Sequence, residues 1–316
     1  MRHARVWFGS SVLLACGLAS TVHAGLSEFG IEGMGIVSTP HSEVRASVSP
    51  DGRRIVWGSS DRPGGPAGRD LWQARRVDGR WQNPEPLSIN TPSKDYDPMF
   101  SGDGRWLYFF SDRPGGLGNE DLYRAAVLDD GGYGPAENLG PGVNTAGSEW
   151  APTPSRDGQH LMFASDGRGG AGGQDLWIAR WDGKAFVDPQ PVPGINTEAD
   201  EFDATWLGDG RAIVFTRSDD VKTKAVRLFV AQCDGRQYGR AELLPLSFNR
   251  EDGFTYGPVI DWNKPGELLL NGTAKSPKAG KQDIYRMKAP TVTGQGGCVA
   301  DAVLKEGRQR ALPRIR

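Results

Sequence analysis

The chain has 316 residues, with 37 Lys and Arg against 39 Asp and Glu and a formal charge of −2. That balance offers no basic face to a polyanion, which excludes nucleic acid as the expected partner. Its 44 Gly and 22 Pro, with no long periodic run of helix formers, point to short strands joined by turns, an all-β protein.

The first element is a leader. Arg2 and Arg5 precede the short apolar stretch Val6 to Ala19, and Val22-His23-Ala24 ends in small residues. Residues 1–24 read as a secretory signal peptide cut after Ala24, so the expected location is periplasmic or secreted. The apolar run is shorter than the ~20 residues that span a bilayer, and no later segment qualifies. Leu13-Leu14-Ala15-Cys16 gives the alternative of a lipoprotein anchored through Cys16. Cleavage removes Arg2 and Arg5 and no acid. The 37 basic residues become 35 against 39 acids, and the formal charge moves from −2 to −4. Cys233 and Cys298 remain; in an oxidising compartment they can pair, and two unpaired thiols are the other reading.

Residues 25–288 are repetitive. Ser49 to Arg75, Ser101 to Val127 and Ser155 to Arg180 repeat one pattern of turn, strand, Gly-rich turn and strand. A second marker sets the period: Asn90, Asn144, Asn196 and Asn249 stand 54, 52 and 53 residues apart. Each period holds four strand signals, which is the unit of a β-propeller blade. Three-strand copies begin near Arg45, Asp97, Ala151, Asp203 and Tyr256, and a fourth strand follows only the first four. Gly30 to Thr39 sits where a fourth strand belongs, so the N-terminal strand is expected to complete the last blade and close the ring. Closure removes an unpaired sheet edge. Five blades are expected; six is the alternative, with part of the C-terminal tail, residues 289–316, supplying a degenerate one.

The repeat resembles a known family. Ser49-Pro50-Asp51-Gly52, Ile55-Val56-Trp57, Ser60-Asp61-Arg62 and Asp70-Leu71-Trp72 are similar to the PD40 (WD40-like) repeat of TolB-type propellers. Copies at 101–123, 155–177 and 209–229 follow with decreasing fidelity, and 261–285 matches at Asp283-Ile284-Tyr285. The resemblance implies a propeller in the bacterial envelope. It implies function less narrowly, because such propellers serve as protein-binding scaffolds, sensors and some enzymes.

Most repeated residues have structural work. Asp51, Asp103, Asp157 and Asp209 precede Gly in hairpin turns. Asp70, Asp121, Asp175 and Asp283 precede the third strand, where Arg62 and Arg113 are placed to pair with Asp70 and Asp121. The aromatic residues Trp57, Phe109, Phe163 and Phe215, with Trp72, Tyr123, Trp177, Phe229 and Tyr285, are expected between blades. The candidate site is the set of acids that opens each innermost strand: Glu43, Asp95, Glu149, Glu201 and Asp252. Gathered on one rim they would bind a cation such as Ca²⁺ or a basic or hydroxyl-rich ligand. The alternative is that each caps the neighbouring Asn-Thr turn. No cofactor is otherwise expected. His41 and His160 are the only His after residue 24, and no nucleophile elbow, phosphate loop or Cys/His metal spacing appears. The expected function is a monomeric, non-catalytic scaffold for an envelope protein or cell-wall component. The alternative is a glycosidase-like enzyme using rim carboxylates of a five-bladed propeller.

Overall fold

The computed structural model describes residues 28–299. The expected signal peptide with its Ala24 cleavage site, Cys16, and residues 300–316 lie outside them. Among the described residues the twenty strands form five four-stranded antiparallel sheets, arranged as a five-bladed propeller. Blade one is β2 (Ser42–Val48), β3 (Arg54–Ser60), β4 (Arg69–Val77) and β5 (Arg80–Pro86). Blade two is β6 (Asp95–Phe100), β7 (Trp106–Ser111), β8 (Asp121–Ala126) and β9 (Glu137–Asn138). Blade three is β10 (Glu149–Pro154), β11 (His160–Ser165), β12 (Asp175–Trp181) and β13 (Phe186–Pro191). Blade four is β14 (Asp200–Leu207), β15 (Ala212–Ser218), β16 (Arg227–Gln232) and β17 (Glu242–Leu243). Blade five is β18 (Tyr256–Ile260), β19 (Glu267–Gly272) and β20 (Asp283–Lys288), completed by β1 (Glu28–Ile31). The innermost strands β2, β6, β10, β14 and β18 neighbour one another in turn, and β18 returns to β2.

The second strand of each blade is a continuous apolar run, such as Leu107-Tyr108-Phe109-Phe110, because both its faces are covered. Trp57, Phe109, Phe163 and Phe215 sit directly opposite Trp72, Tyr123, Trp177 and Phe229 on the third strand. An arginine lies over each pair: Arg62, Arg113, Arg168 and Arg217, with guanidinium-to-ring distances from 4.3 to 6.0 Å. Each also donates to a carbonyl of the turn that leads into its blade: Ile36, Ile89, Val143 and Ile195. Arg62 and Arg113 therefore do not pair with Asp70 and Asp121. Those carboxylates, with Asp175 and Asp283, accept backbone N–H groups of their own Gly-containing loops, at Gly68, Gly118, Gly172 and Gly280.

The Asn of each marker holds the returning chain to the third strand. Asn90, Asn144, Asn196 and Asn249 accept from the backbone N–H of Leu71, Leu122, Leu176 and Leu228, and donate to the same residues' carbonyls, at 2.8–3.1 Å. Replacing Asn144 by Ala strips the Leu122 N–H of its acceptor and is expected to cost about 2 kcal/mol. Urea unfolding checks this; a change below about 0.5 kcal/mol would deny the clamp its role.

The N-terminal strand does close the ring, but it is shorter and earlier than Gly30 to Thr39. Gly30 and Ile31 pair with Arg286 and Tyr285 of β20. The chain then turns, with the Val37 N–H on the Gly33 carbonyl. Ser38 takes the place of the marker Asn: its hydroxyl accepts from the Ile284 N–H at 3.1 Å and donates to the Ile284 carbonyl at 3.3 Å.

There is no sixth blade among the described residues. Residues 289–299 run beside blade four instead. The Gln232 side chain binds Thr291, Thr293 and Gly294, and the Gln295 N–H donates to the Cys233 carbonyl. Cys233 and Cys298 form a disulfide there, with Cα atoms 6.1 Å apart. The bond closes a loop of 65 residues. Loop entropy alone would favour it by about 4 kcal/mol. Cys298→Ala should cost about 2 kcal/mol, less than that figure, because the tail packs on a single blade. Differential scanning calorimetry reads the loss, and equal midpoints for the two forms would contradict it.

Candidate functional site

Four of the five entrance acids are buried and turned back on their own turns. Glu43, Asp95, Glu149 and Glu201 are all 0 % exposed. Each accepts both the N–H and the hydroxyl of the Thr four residues earlier: Thr39, Thr91, Thr145 and Thr197. Arg113 and Arg217 complete Asp95 and Glu201 at 2.6 Å, and Ser165 completes Glu149 at 2.7 Å. Glu43 gains only a 3.5 Å contact from the Ser59 hydroxyl. Burial pushes its carboxyl up to about 7, with the Thr39 hydrogen bonds pulling the other way. Burial likewise raises Glu149 and Glu201.

Asp252 is not the fifth member. It lies on an exposed loop, paired to Arg250 at 3.1 Å. Thr255 holds the equivalent place. Its N–H donates to the Val226 carbonyl, as that of Glu43 does to Gln282 and that of Glu201 to Gln174. Its hydroxyl donates to the Phe248 carbonyl. The Glu251-Asp252-Gly253 turn absorbs one extra residue between Asn249 and Thr255 relative to the other copies. Among the described residues no group of three or more His, Cys, Asp or Glu is gathered as a metal ion requires. His41 and His160 are far apart in the fold: His41 precedes β2 at the entrance end, and His160 opens β11 at the hairpin end.

The repeat diverges one step further in. The second residue after each acid position is a bulge with positive φ: Arg45 (43°), Asp97 (54°), Ala151 (53°), Asp203 (43°) and Gly257 (65°). The same backbone in all five blades thus carries four different residue types toward the propeller axis. Arg45 is 0 % exposed and crosses that axis. Its Nη2 donates to the Thr153 hydroxyl at 2.7 Å and to the Ala151 and Pro152 carbonyls at 3.3 Å. Its Nη1 lies 3.7 Å from Asp203. Met99 of blade two is 4.0 Å away, and the Arg45 N–H donates to Asn271 of blade five. The side chain of this one residue therefore meets blades two, three and four, and its main chain meets blade five, so it fills the axis. Asp97 and Asp203 are 8 % and 3 % exposed. Burial raises both carboxyls, Asp97 the more because Asp203 adds a like charge, while Arg45 opposes the shift.

The far end of the channel is built by the hairpin turns. In blades one to three a serine hydroxyl fixes the turn Asp at 2.6 Å: Ser49 to Asp51, Ser101 to Asp103, Ser155 to Asp157. Turns of different blades interlock. The Asn263 amide of blade five donates to the Pro50 carbonyl of blade one, and Trp262 donates to the Phe100 carbonyl of blade two at 2.7 Å. Gly102 of blade two sits so close to Arg156 of blade three that a Cβ would lie 2.3 Å from its carbonyl oxygen. Blade four breaks the series. Leu207 replaces the serine, and Gly208, Asp209 and Gly210 all have positive φ. Between its turn, those of blades three and five, and the disulfide-held tail lies a cavity of about 930 Å³. Trp206, Trp262, Arg156, Asp157, His160 and Asp209 are among its walls, with Gly296, Gly297 and Val299 from the tail. Burial holds His160 below the ordinary imidazole range.

Sequence reasoning missed both the axial cluster and this cavity. The signal for the first was present in Arg45, Asp97, Ala151 and Asp203, always two residues after the acid. The signal for the second was Leu207 in the place of serine.

No protein-family model matches the sequence, and no curated protein matches it. Solved structures do match. The endo-arabinase of Bacteroides thetaiotaomicron VPI-5482 aligns at 13% identity and TM-score 0.52, over 84% of this chain and 99% of that one. The hydrazine synthase of Kuenenia stuttgartiensis aligns at 14% identity and TM-score 0.51, over 80% of this chain and 39% of that one. A putative TolB of Agrobacterium tumefaciens aligns at 19% identity and TM-score 0.47, over 78% and 74%. At such identities the likeness is one of fold.

Proposed function

We propose that this propeller is a non-catalytic binding scaffold of the bacterial envelope, and that it receives its partner at the cavity of the hairpin face. The carrying observation is where the repeat breaks. Arg45 crosses the axis, and Glu43, Asp95, Glu149 and Glu201 are consumed by their own turns, so none of these four is open to a substrate. Glycoside hydrolysis needs two carboxyl groups about 5–9.5 Å apart with a sugar between them. Asp97 and Asp203 are instead buried beside a guanidinium. The large concavity lies at the opposite end, where blade four departs from its neighbours. The leader read in residues 1–24 supports the envelope location.

The test is capture of cross-linked envelope proteins by the mature chain and by Gly296→Leu. A Cβ on Gly296 meets no atom within 4 Å, so a leucine adds bulk at the tail wall of the cavity without striking a neighbour. The expected result is a partner held by the native chain and lost by the variant. Equal recovery by both, or hydrolysis of a polysaccharide by the native chain, would count against the scaffold reading.

A further inference from the structure

The hairpin-face cavity has a chemistry of its own, and the following rests on the binding reading above. Two tryptophans contribute to its walls, Trp206 at 8 % and Trp262 at 9 % exposure. The indole N–H of Trp262 is spent on Phe100, so what that ring offers the cavity is its apolar body. One guanidinium already rests near it: Arg156 lies 5.9 Å from the Trp262 ring centroid. Two carboxylates stand in the same walls. Asp157 is tied to Ser155, and its hydrogen bonds to Ser155 and Gln159 outweigh burial and keep it ionised. Asp209 has no such hydroxyl, because Leu207 stands where the serine would be, and it is exposed on a turn at φ 56°. Arg156 balances one of the two acids, and burial disfavours the charged form of His160. The cavity thus carries about one net negative charge beside aromatic surface.

We propose that this cavity seats a lysine or arginine side chain presented on an extended peptide segment of the partner. Aromatic faces attract organic cations, and a nearby carboxylate fixes the cation's charge. The volume of about 930 Å³ falls within the range of sites that enclose a ligand of a few hundred daltons, which suits a peptide tip of a few residues. Charge complementarity selects the ligand: an acidic segment would meet like charge at Asp157 and Asp209, a basic one opposite charge. The tail wall of the cavity, Gly296 to Val299, is held to blade four by the Cys233–Cys298 disulfide together with the hydrogen bonds of Gln232 and Gln295.

The experiment titrates two acetylated, amidated hexapeptides into the full mature chain, one alternating arginine with glycine, the other glutamate with glycine. Intrinsic tryptophan fluorescence reports binding at roughly physiological ionic strength, where long-range attraction is screened. The arginine peptide should saturate and the glutamate peptide should not. Asp209→Asn should weaken the arginine peptide by about tenfold. Gly296→Leu should abolish binding, with both variants melting within about 2 °C of the native chain. Equal response to the two peptides, or unchanged affinity in both variants, overturns the cation site. If partner capture is still lost in Gly296→Leu while the peptides bind alike, the binding face stands and only its assigned ligand falls.

Discussion

Arg45→Met should lower the melting temperature of the mature chain by about 10 °C, the largest loss expected of any single substitution here. The guanidinium makes three hydrogen bonds to blade three and faces Asp203 of blade four, all without solvent. Methionine fills most of the same space but leaves the buried Asp97 and Asp203 without the guanidinium that faces them. Breaking a buried ion pair from one side costs about 3–5 kcal/mol. In a chain of this size each kcal/mol moves the midpoint by roughly 2–4 °C. The sign with pH follows from the carboxyls. Both Asp97 and Asp203 are raised in the folded state. A raised carboxyl favours the fold while protonated and loses that contribution as pH climbs through its folded value. The variant should therefore be hurt more at pH 8 than at pH 5. Adding Asp97→Asn and Asp203→Asn should recover much of the loss. A midpoint within 2 °C of the native chain at pH 8 would mean that the axis is not held by Arg45.

Glu43→Gln should stabilise the fold above neutral pH. The Glu43 carboxyl goes from 4.5 to about 7 on folding, chiefly because it is buried. Its favourable contribution is complete below pH 4.5 and is lost as pH rises through about 7. A shift of that size corresponds to about 3 kcal/mol once the group is ionised. Glutamine has the same shape. Its carbonyl accepts the Thr39 N–H and its amide donates to the Thr39 hydroxyl, so the cap survives without the buried charge. The quantity to read is the stability difference between variant and native chain at pH 4.5, 6 and 8. It should grow from near zero to about 3 kcal/mol. Parallel pH curves, or a variant weaker at pH 8, would contradict the burial argument. Glu149 and Glu201 are raised by burial in the same direction, with Ser165 and Arg217 completing their shells where Glu43 has only the long Ser59 contact.

The frame of the protein was legible because it repeats. Four Asn at nearly constant spacing, the Asp-Gly turns and the missing fourth strand together specify five blades closed by the N-terminus, and the sheets have that order. Register details were not legible. Gly30 to Thr39 contains the last two residues of a four-residue strand and then a turn, which docks through the Ser38 hydroxyl standing in for Asn and through Arg62 on the Ile36 carbonyl. Asp252 reads as the fifth acid because it stands just ahead of the aromatic Phe254; the loop before β18 is one residue longer than its counterparts, and Thr255 performs the capping. The site was the least legible part. Repetition draws the eye to residues that recur, and recurring residues are those that build each blade. What differs between blades at one backbone position, Arg45 against Asp97, Ala151, Asp203 and Gly257, decides what the axis can hold. Leu207 likewise looks like ordinary wear of a turn. Its consequence depends on where the tail returns, which Cys298 fixes and no local pattern announces.

The question that decides the functional account is which end of the ring touches another molecule. A photo-reactive phenylalanine analogue placed in turn at Gly296, on the hairpin face, and at Met34, exposed near the other face, answers it in living cells. Adducts from position 296 and none from position 34 are the outcome expected here. Adducts from position 34 alone would move the binding surface to the rim of the acids and remove the basis for a cavity-bound partner.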